Sequence, residues 1–292
     1  MTALDSKQYK EAERQSWNSV APSWQKWWGK TIERGTEGVS RRLVELAEIK
    51  PGSKVLDIAT GIGEPALTAA NHVGKNGHVL ATDISPQMLS FAKQRAISLG
   101  LQDVIEFKEG DAETIDLPPS AFDAALCRFG LMLFQDFKAS LSNIYRSLVE
   151  GGHFAAAVWA SPDKVPFIFV PMNIVLKETN SPPPPPGTPG PFSMSDQNSL
   201  KNSYLTSGFK DPIIERMNVS FEFDSPDDYT IIQPLQLSRV ALFFKKCWQV
   251  RQKKEEKKYL KQLIKQQKST LTILQERSDS KMKLYLLLVE NE

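Results

Sequence analysis

The sequence predicts an α/β protein built on a doubly wound, mostly parallel sheet. Three observations predict it. Residues 55–66, Val-Leu-Asp-Ile-Ala-Thr-Gly-Ile-Gly-Glu-Pro-Ala, read as a buried strand, a glycine turn and the start of a helix. Strand and helix patterns then alternate five times up to Trp159, which favours a parallel sheet with right-handed crossovers. An acid also stands at or just past the end of each of the first three strands, as Asp57, Asp83 and Asp111.

The glycine stretch carries the most information. Val55, Leu56 and Ile58 are strand-type apolar residues. Gly61 and Gly63 allow a tight turn and let backbone N–H groups approach a ligand. Pro65 suits the first turn of a helix, where a missing N–H costs nothing. Such units bind nucleotides, because free N–H groups and the helix dipole point into one crevice. Asp57 narrows the choice. A loop that cradles a pyrophosphate gains little from a carboxylate there, whereas a ligand with a cationic amine gains much. That points to S-adenosylmethionine (SAM) rather than NAD.

At this point the sequence resembles the class I SAM-dependent methyltransferases, whose first motif is acid-x-x-x-Gly-x-Gly. More narrowly it is similar to the quinone-biosynthesis C-methyltransferase-like (methyltransferase type 11) branch. The resemblance covers residues 17–228, with Pro65 where many members carry a third glycine. It implies a Rossmann-like seven-stranded sheet, its last strand antiparallel, with a small cap insertion. Leu-x-x-Gly-Gly before the fifth strand, Leu148 to Gly152, is a second match.

The remaining elements follow in chain order. Residues 7–49 read as helix, broken near Ala21-Pro22 and Gly35, with Trp17, Trp24, Trp27 and Trp28 crowding the first half. The resemblance implies a lid over the cofactor cleft, and packing on the core is the simpler reading of at least two tryptophans. Asn18 and Ser23 are candidate helix caps. Residues 78–83 read as the second strand, placing Asp83 where a carboxylate accepts hydrogen bonds from ribose hydroxyls. Residues 86–99 read as helix, capped by Ser85 and ended by Gly100. Residues 104–108 form the third strand and lead into Gly110-Asp111-Ala112, where the resemblance puts the adenine amino group on Asp111. Residues 122–127 form the fourth strand, with Arg128 and Phe129 at its carboxyl end, where ligands of open α/β sheets sit. Helix at 139–148 and a fifth strand at 154–159 complete the core.

After Ser161 the composition changes. Residues 165–177 read as an apolar helix facing the cleft. Residues 181–191 hold seven prolines in eleven positions and predict an extended surface loop, a lid or a connector. Residues 195–207 read as helix and 209–223 as a further strand. The domain reading is a helical lid at 1–36, a SAM-binding domain at 37–162, a substrate cap with the sixth strand at 163–230, and an atypical basic tail at 231–292.

Residues 245–268 hold ten Lys or Arg against two Glu, while the whole chain is only +2. A basic amphipathic helix for acidic lipid or nucleic acid, a solvated helix, and a shifted reading frame are the three readings. The frame reading rests on residues 283–292, which can be back-translated so that another frame gives Val-Ile-Phe-Val-Val-Gly-Gly-Lys and a stop. With Asn-Glu from Lys281-Met282, that resembles the family's last strand. Residues 245–275 are expected to be exposed helix or disorder and not a nucleic-acid site, and residues 284–289 to suit the seventh-strand slot by length.

Hydrophobic content of 41% and charged content of 24% are ordinary for a globular protein. No apolar run approaches the roughly 20 residues of a membrane helix. Cys127 and Cys247 form no C-x-x-C pair, so a cytoplasmic setting is the expectation. His72, His78 and His153 lack metal-ligand spacing, and no metal is expected. The expected cofactor is SAM and the expected partner a small-molecule substrate, without nucleic acid. The candidate cofactor-binding residues are Asp57, Ala59, Thr60, Gly61, Gly63, Asp83, Ile84, Met88, Gly110, Asp111, Ala112, Arg128 and Phe129. No catalytic base stands out; Asp136, Tyr145, His153 and Tyr204 are the polar candidates. A non-catalytic SAM-binding protein and a nicotinamide oxidoreductase are the competing functions. Two distant cysteines are too few for arsenite methylation.

Overall fold

The structure is a computed structural model and describes residues 6–27, 33–178, 180, 182–185, 187–221 and 282–290. Five parallel strands form the centre: β1 (Lys54–Ile58), β2 (His78–Asp83), β3 (Ile105–Glu109), β4 (Phe122–Arg128) and β5 (Leu148–Trp159). Their order in the sheet is β3-β2-β1-β4-β5, so the strand order reverses beside β1. β6 (Lys210–Val219) and β7 (Met282–Glu290) extend the sheet on the β5 side. β7 lies between β5 and β6 and is antiparallel to both, with Phe154 opposite Val289 and Glu215 opposite Leu286.

Helices cover the sheet. α2 (Glu33–Leu46), α3 (Ala66–Val73), α4 (Pro86–Ser98) and α5 (Phe137–Ser147) follow the Rossmann-like alternation. α2 lays Val39, Leu43 and Val44 on the core. β1 and β4 are nearly continuous apolar runs because helices bury both faces of a central parallel strand. Leu56, Ile58 and Leu126 are fully buried, and each such side chain stabilises the fold by about 1.5–3 kcal/mol. After β5 come α6 (Pro166–Glu178) and α7 (Gln197–Thr206), the latter capped by Asp196. α6 joins the main core through Phe167 and Ile168.

Several boundaries differ from the expectation. α1 (Ser6–Trp27) is one helix that runs through Pro22, and Gly35 sits inside α2. α1 holds together because Val20 and Ala21, beside the proline, are buried against Ile62 and Met88. Gly35 is needed for close packing: a Cβ there would come within 2.7 Å of the Phe221 ring. Asn18 is no cap but a mid-helix residue, and the lid boundary at residue 36 falls within α2. β5 starts at Leu148, ahead of the Gly-Gly pair, and a register shift opposite β4 between Phe122 and Ala124 absorbs the glycines. The proline-rich stretch is irregular where described, tied back by Gly190 N–H donating to the Met132 carbonyl at 2.8 Å. The basic stretch at 245–275, with every expectation placed on it, lies outside the described residues.

Candidate cofactor site

The site forms at the carboxyl ends of β1, β2, β3 and β4. β1 and β2 run in register, with Asp57 opposite Ala81, and β2 pairs β3 with Asp83 opposite Glu109. Two adjacent, equally oriented strands therefore deliver their terminal acids to one edge. The glycine loop is pinned from several sides. Thr60 N–H donates to the Thr82 carbonyl at 2.9 Å, and Gly61 N–H donates to Asp83 Oδ2 at 2.8 Å. Gly61 and Gly63 take φ values of +59° and +106°, and a Cβ on Gly61 would meet open space. The turn, not crowding, demands glycine there.

Asp83 is 7% exposed, and its other oxygen, Oδ1, accepts from Ser85 N–H at 2.9 Å. It thus joins the glycine loop to the α4 N-terminus, where Ser85 caps by accepting from Met88 N–H. Asp57 is fully buried, and its Oδ2 accepts from Ala66 N–H at 3.0 Å, anchoring the start of α3. Desolvation pushes the Asp57 carboxyl up to about 8, against the pull of the nearby Thr60 hydroxyl dipole, the Ala66 N–H bond and the Arg128 charge. Asp57 Oδ1 and the Thr60 hydroxyl are both buried, and neither closes a hydrogen bond. A cationic amine placed against this pair would offset the burial and hold the Asp57 carboxyl ionised as its acceptor, which a phosphate would not do.

Asp111 follows β3, where its Oδ1 accepts from Glu113 N–H at 3.0 Å. Ala112 is buried beside it, and Gly110 N–H donates to the Asp83 carbonyl at 3.0 Å. A Cβ on Gly110 would collide with Ile115. Ile84 is partly buried and Met88 packs against Ile62.

The end of β4 divides its two candidates. The Arg128 guanidinium turns back to α2, its Nη1 donating to Thr36 Oγ1 at 2.9 Å and to Ser40 Oγ at 3.2 Å. Burial pulls Arg128 down to about 10, opposed by Glu64 and Asp57. Phe129 stacks on Trp159 with ring centroids 4.4 Å apart. Phe129 and Ala59 both take positive φ, +62° and +57°, a strained conformation for residues with a Cβ. Both lie just past strands that border the cleft, where such strain is characteristic of functional sites.

The sequence reading expected a helical segment here but missed the contacts that hold it in place. α1 crosses over the glycine loop and the α4 N-terminus, with Trp17 and Trp24 packed against the cluster of Val20, Ala21, Ile62 and Met88. Asn18 Oδ1 accepts from Ser85 Oγ at 2.7 Å, and Lys10 Nζ reaches both oxygens of Asp111 at 2.9 and 2.8 Å. Arg95 donates to the Ile62 carbonyl at 2.9 Å and bridges to Glu33 at 2.7 Å. Spacing showed none of these contacts, because their partners lie far away in the chain.

The four polar candidates for a base each have structural contacts of their own. Asp136 caps α5 by accepting from Ala139 N–H. Tyr145 packs edge-on against Phe209, and Tyr204 is buried against Phe154. His153 pairs with Ala124 at the amino end of the sheet. The Cys127 thiol is buried and its pKa strongly raised by desolvation, so it is inert. Among the described residues, no group of three His, Cys, Asp or Glu could hold a metal ion, and no helix is long and apolar enough to cross a membrane.

Comparison with known proteins points to a methyltransferase domain. Residues 49–179 match the model of the Methyltransf_31 family, a methyltransferase domain. The demethylmenaquinone methyltransferase of Thermus thermophilus is 35% identical over 127 residues, which is 44% of this chain and 56% of that protein. A ubiquinone/menaquinone biosynthesis C-methyltransferase of Xanthomonas oryzae is 37% identical over 112 residues, 38% of this chain and 44% of that protein. The chain spans about half the length of the curated relatives it matches. Among solved structures, the YcgJ protein of Bacillus subtilis superposes with a TM-score of 0.58 at 18% identity, covering 88% of this chain and 99% of that one. That likeness establishes the shared fold, including the central five-stranded parallel sheet. Over residues 49–179 the chain matches a methyltransferase domain and is distantly similar to the quinone-biosynthesis C-methyltransferases.

Proposed function

We propose that the protein transfers the methyl group of SAM to a small-molecule acceptor, by C- or O-methylation of a quinone-like or polyketide-like ring. The observation that carries this reading is the set of acids Asp57, Asp83 and Asp111 around one pinned glycine loop. The two buried oxygens there without a partner, Asp57 Oδ1 and Thr60 Oγ1, fit a group that brings a cationic amine, whose charge would keep the Asp57 carboxyl ionised. The names of the quinone-biosynthesis relatives support the acceptor class.

When bound, SAM supplies the electrophilic methyl and its leaving group. The protein's part is binding, orientation and exclusion of water. Asp83 holds the ribose hydroxyls, and Asp111 with Gly110 and Ala112 holds the adenine. Gly61, Gly63, Ala59 and Thr60 form the loop against the amino-acid end, with Asp57 fixing that loop from below. Ile84, Met88 and Phe129 are the apolar walls. Arg128 acts from behind, locking α2 to the end of β4. α1 serves as the lid and the segment that follows β5 as the acceptor cap, with the seven-stranded sheet as scaffold. Among the described residues no polar side chain is assigned as a base, and an acceptor acidic enough to be already ionised, such as a phenol or an enolised diketone, needs none.

Titration calorimetry with SAM and with NAD tests the cofactor, and tight NAD binding with none for SAM defeats the proposal. A methyl-transfer screen over phenolic, quinol and diketone acceptors tests the activity. Tight SAM binding with no transfer to any acceptor would favour a non-catalytic SAM-binding protein.

A further inference from the structure

Lys10 stands where the adenine end of the cofactor site is expected. Its ammonium contacts both oxygens of Asp111, at 2.9 and 2.8 Å, and also pairs with Glu113 Oε1. Lys10, Asp111 and Glu113 retain only 18%, 21% and 7% of their side-chain exposure. Glu113 Oε1 also accepts from Gln135 N–H at 2.9 Å, so the second acid is held in place independently of Lys10.

The rest of α1 shares the arrangement. Lys10, Trp17, Ala21 and Trp24 fall on one helical face, at intervals of seven, four and three. That face meets Asp111, then Ser85 through Asn18, then Ile62 and Met88. The polar contact at one end and the apolar cluster at the other hold α1 across the cofactor edge. Asp111 is therefore the acid proposed to take the adenine amino group and also the acid that Lys10 engages.

We propose that Lys10 is a competing internal cation: its bond to Asp111 latches α1 shut, and the cofactor's adenine amino group must displace it. Lys10 then falls back on Glu113, which keeps the helix near the cleft while Asp111 is released. The cofactor exchanges one hydrogen-bonded cation for one neutral donor at Asp111, so entry and release are slowed by an electrostatic contact. This rests on the SAM-binding reading of Asp111.

The test uses the full chain, with Lys10→Met to remove the charge while keeping the stem, and Lys10→Arg to keep it. Stopped-flow tryptophan fluorescence follows SAM and S-adenosylhomocysteine binding at rising salt. Expected for the parent is an association rate that increases with salt, as screening weakens the latch. Lys10→Met should associate about fivefold faster, the equivalent of roughly 1 kcal/mol for a partly exposed ion pair, with that salt response gone. Lys10→Arg should behave like the parent. Slower binding in Lys10→Met, or an unchanged salt response, overturns the proposal. Hydrogen exchange in the absence of any cofactor reads the latch separately. α1 amides should exchange faster in Lys10→Met than in the parent, and equal exchange overturns the latch. Faster exchange in a protein that binds no SAM would keep the α1 contact but defeat the cofactor reading and the competition built on it.

Discussion

Replacing Asp83 by asparagine perturbs the cofactor site at one atom. In the parent, the two carboxylate oxygens accept from Gly61 N–H at 2.8 Å and Ser85 N–H at 2.9 Å. The amide has one oxygen and one NH2 group. Whichever way it turns, one backbone N–H faces another donor inside a 7% exposed site. A hydrogen bond to a charged group is worth about 1.5–3 kcal/mol, and loss of its acceptor falls on the glycine loop directly. The same change removes the negative charge proposed to receive the ribose hydroxyls. SAM affinity should therefore drop by about 1.5–3 kcal/mol, or roughly ten- to a hundredfold in Kd. Asp83→Ala should weaken binding at least as much. Calorimetric titration measures it, with circular dichroism and urea unfolding to confirm that each variant is folded at the titration temperature. A folded Asp83→Asn variant binding SAM within about twofold of the parent would refute both the loop argument and the ribose assignment.

Asp57→Asn tests the buried acid through pH. Burial raises the folded Asp57 to about 8 from 3.8, so the native state holds a proton that the unfolded chain has lost. Its contribution to stability is greatest below the unfolded value and declines as pH rises to about 8. Asparagine cannot titrate, so urea midpoints should show the variant gaining on the parent steadily between those limits; a constant difference would refute the shift. Gly130→Ala should destabilise the fold by about 1–3 kcal/mol through overpacking, since a Cβ there would lie 2.7 Å from both Ala59 Cβ and Cys127 Sγ. Urea unfolding unchanged from the parent would contradict that packing. Sequencing the DNA that encodes residues 281–292 decides the frame reading: codons that give no Asn-Glu-Val ending in another frame dismiss it.

Most of the sheet was legible because its signals are local. Val55 to Ile58 and Phe122 to Cys127 are short apolar runs bounded by polar or turn residues, and each became a strand. The acids were legible for a related reason: position at a strand end is a property of the segment itself. What escaped was everything decided by distant partners. Pro22 argued for a broken helix, yet the neighbours Val20 and Ala21 are buried on Ile62 and keep α1 whole. Arg128 was read as facing the cleft from its place in the strand, but its hydrogen bonds go to Thr36 and Ser40 on α2. Lys10 looked like one more surface lysine, and its two acids are about a hundred residues away in the chain. Strand five began early because Leu148 can pair with Phe122 once a bulge accommodates the glycines, a pairing that periodicity does not encode.

The insertion of β7 between β5 and β6 also dictates the order of events when the chain is made. β5 and β6 are complete by Val219, but the strand that joins them begins only at Met282. Until it arrives, each presents a row of unsatisfied backbone donors and acceptors along the side that β7 will occupy. The β5 edge carries Phe154 and Val158, residues that the finished molecule buries. A nascent chain therefore passes through a stage with two open templates, either of which can recruit a strand from another copy. A version shortened before β7 should collect in aggregates even though its cofactor edge is intact.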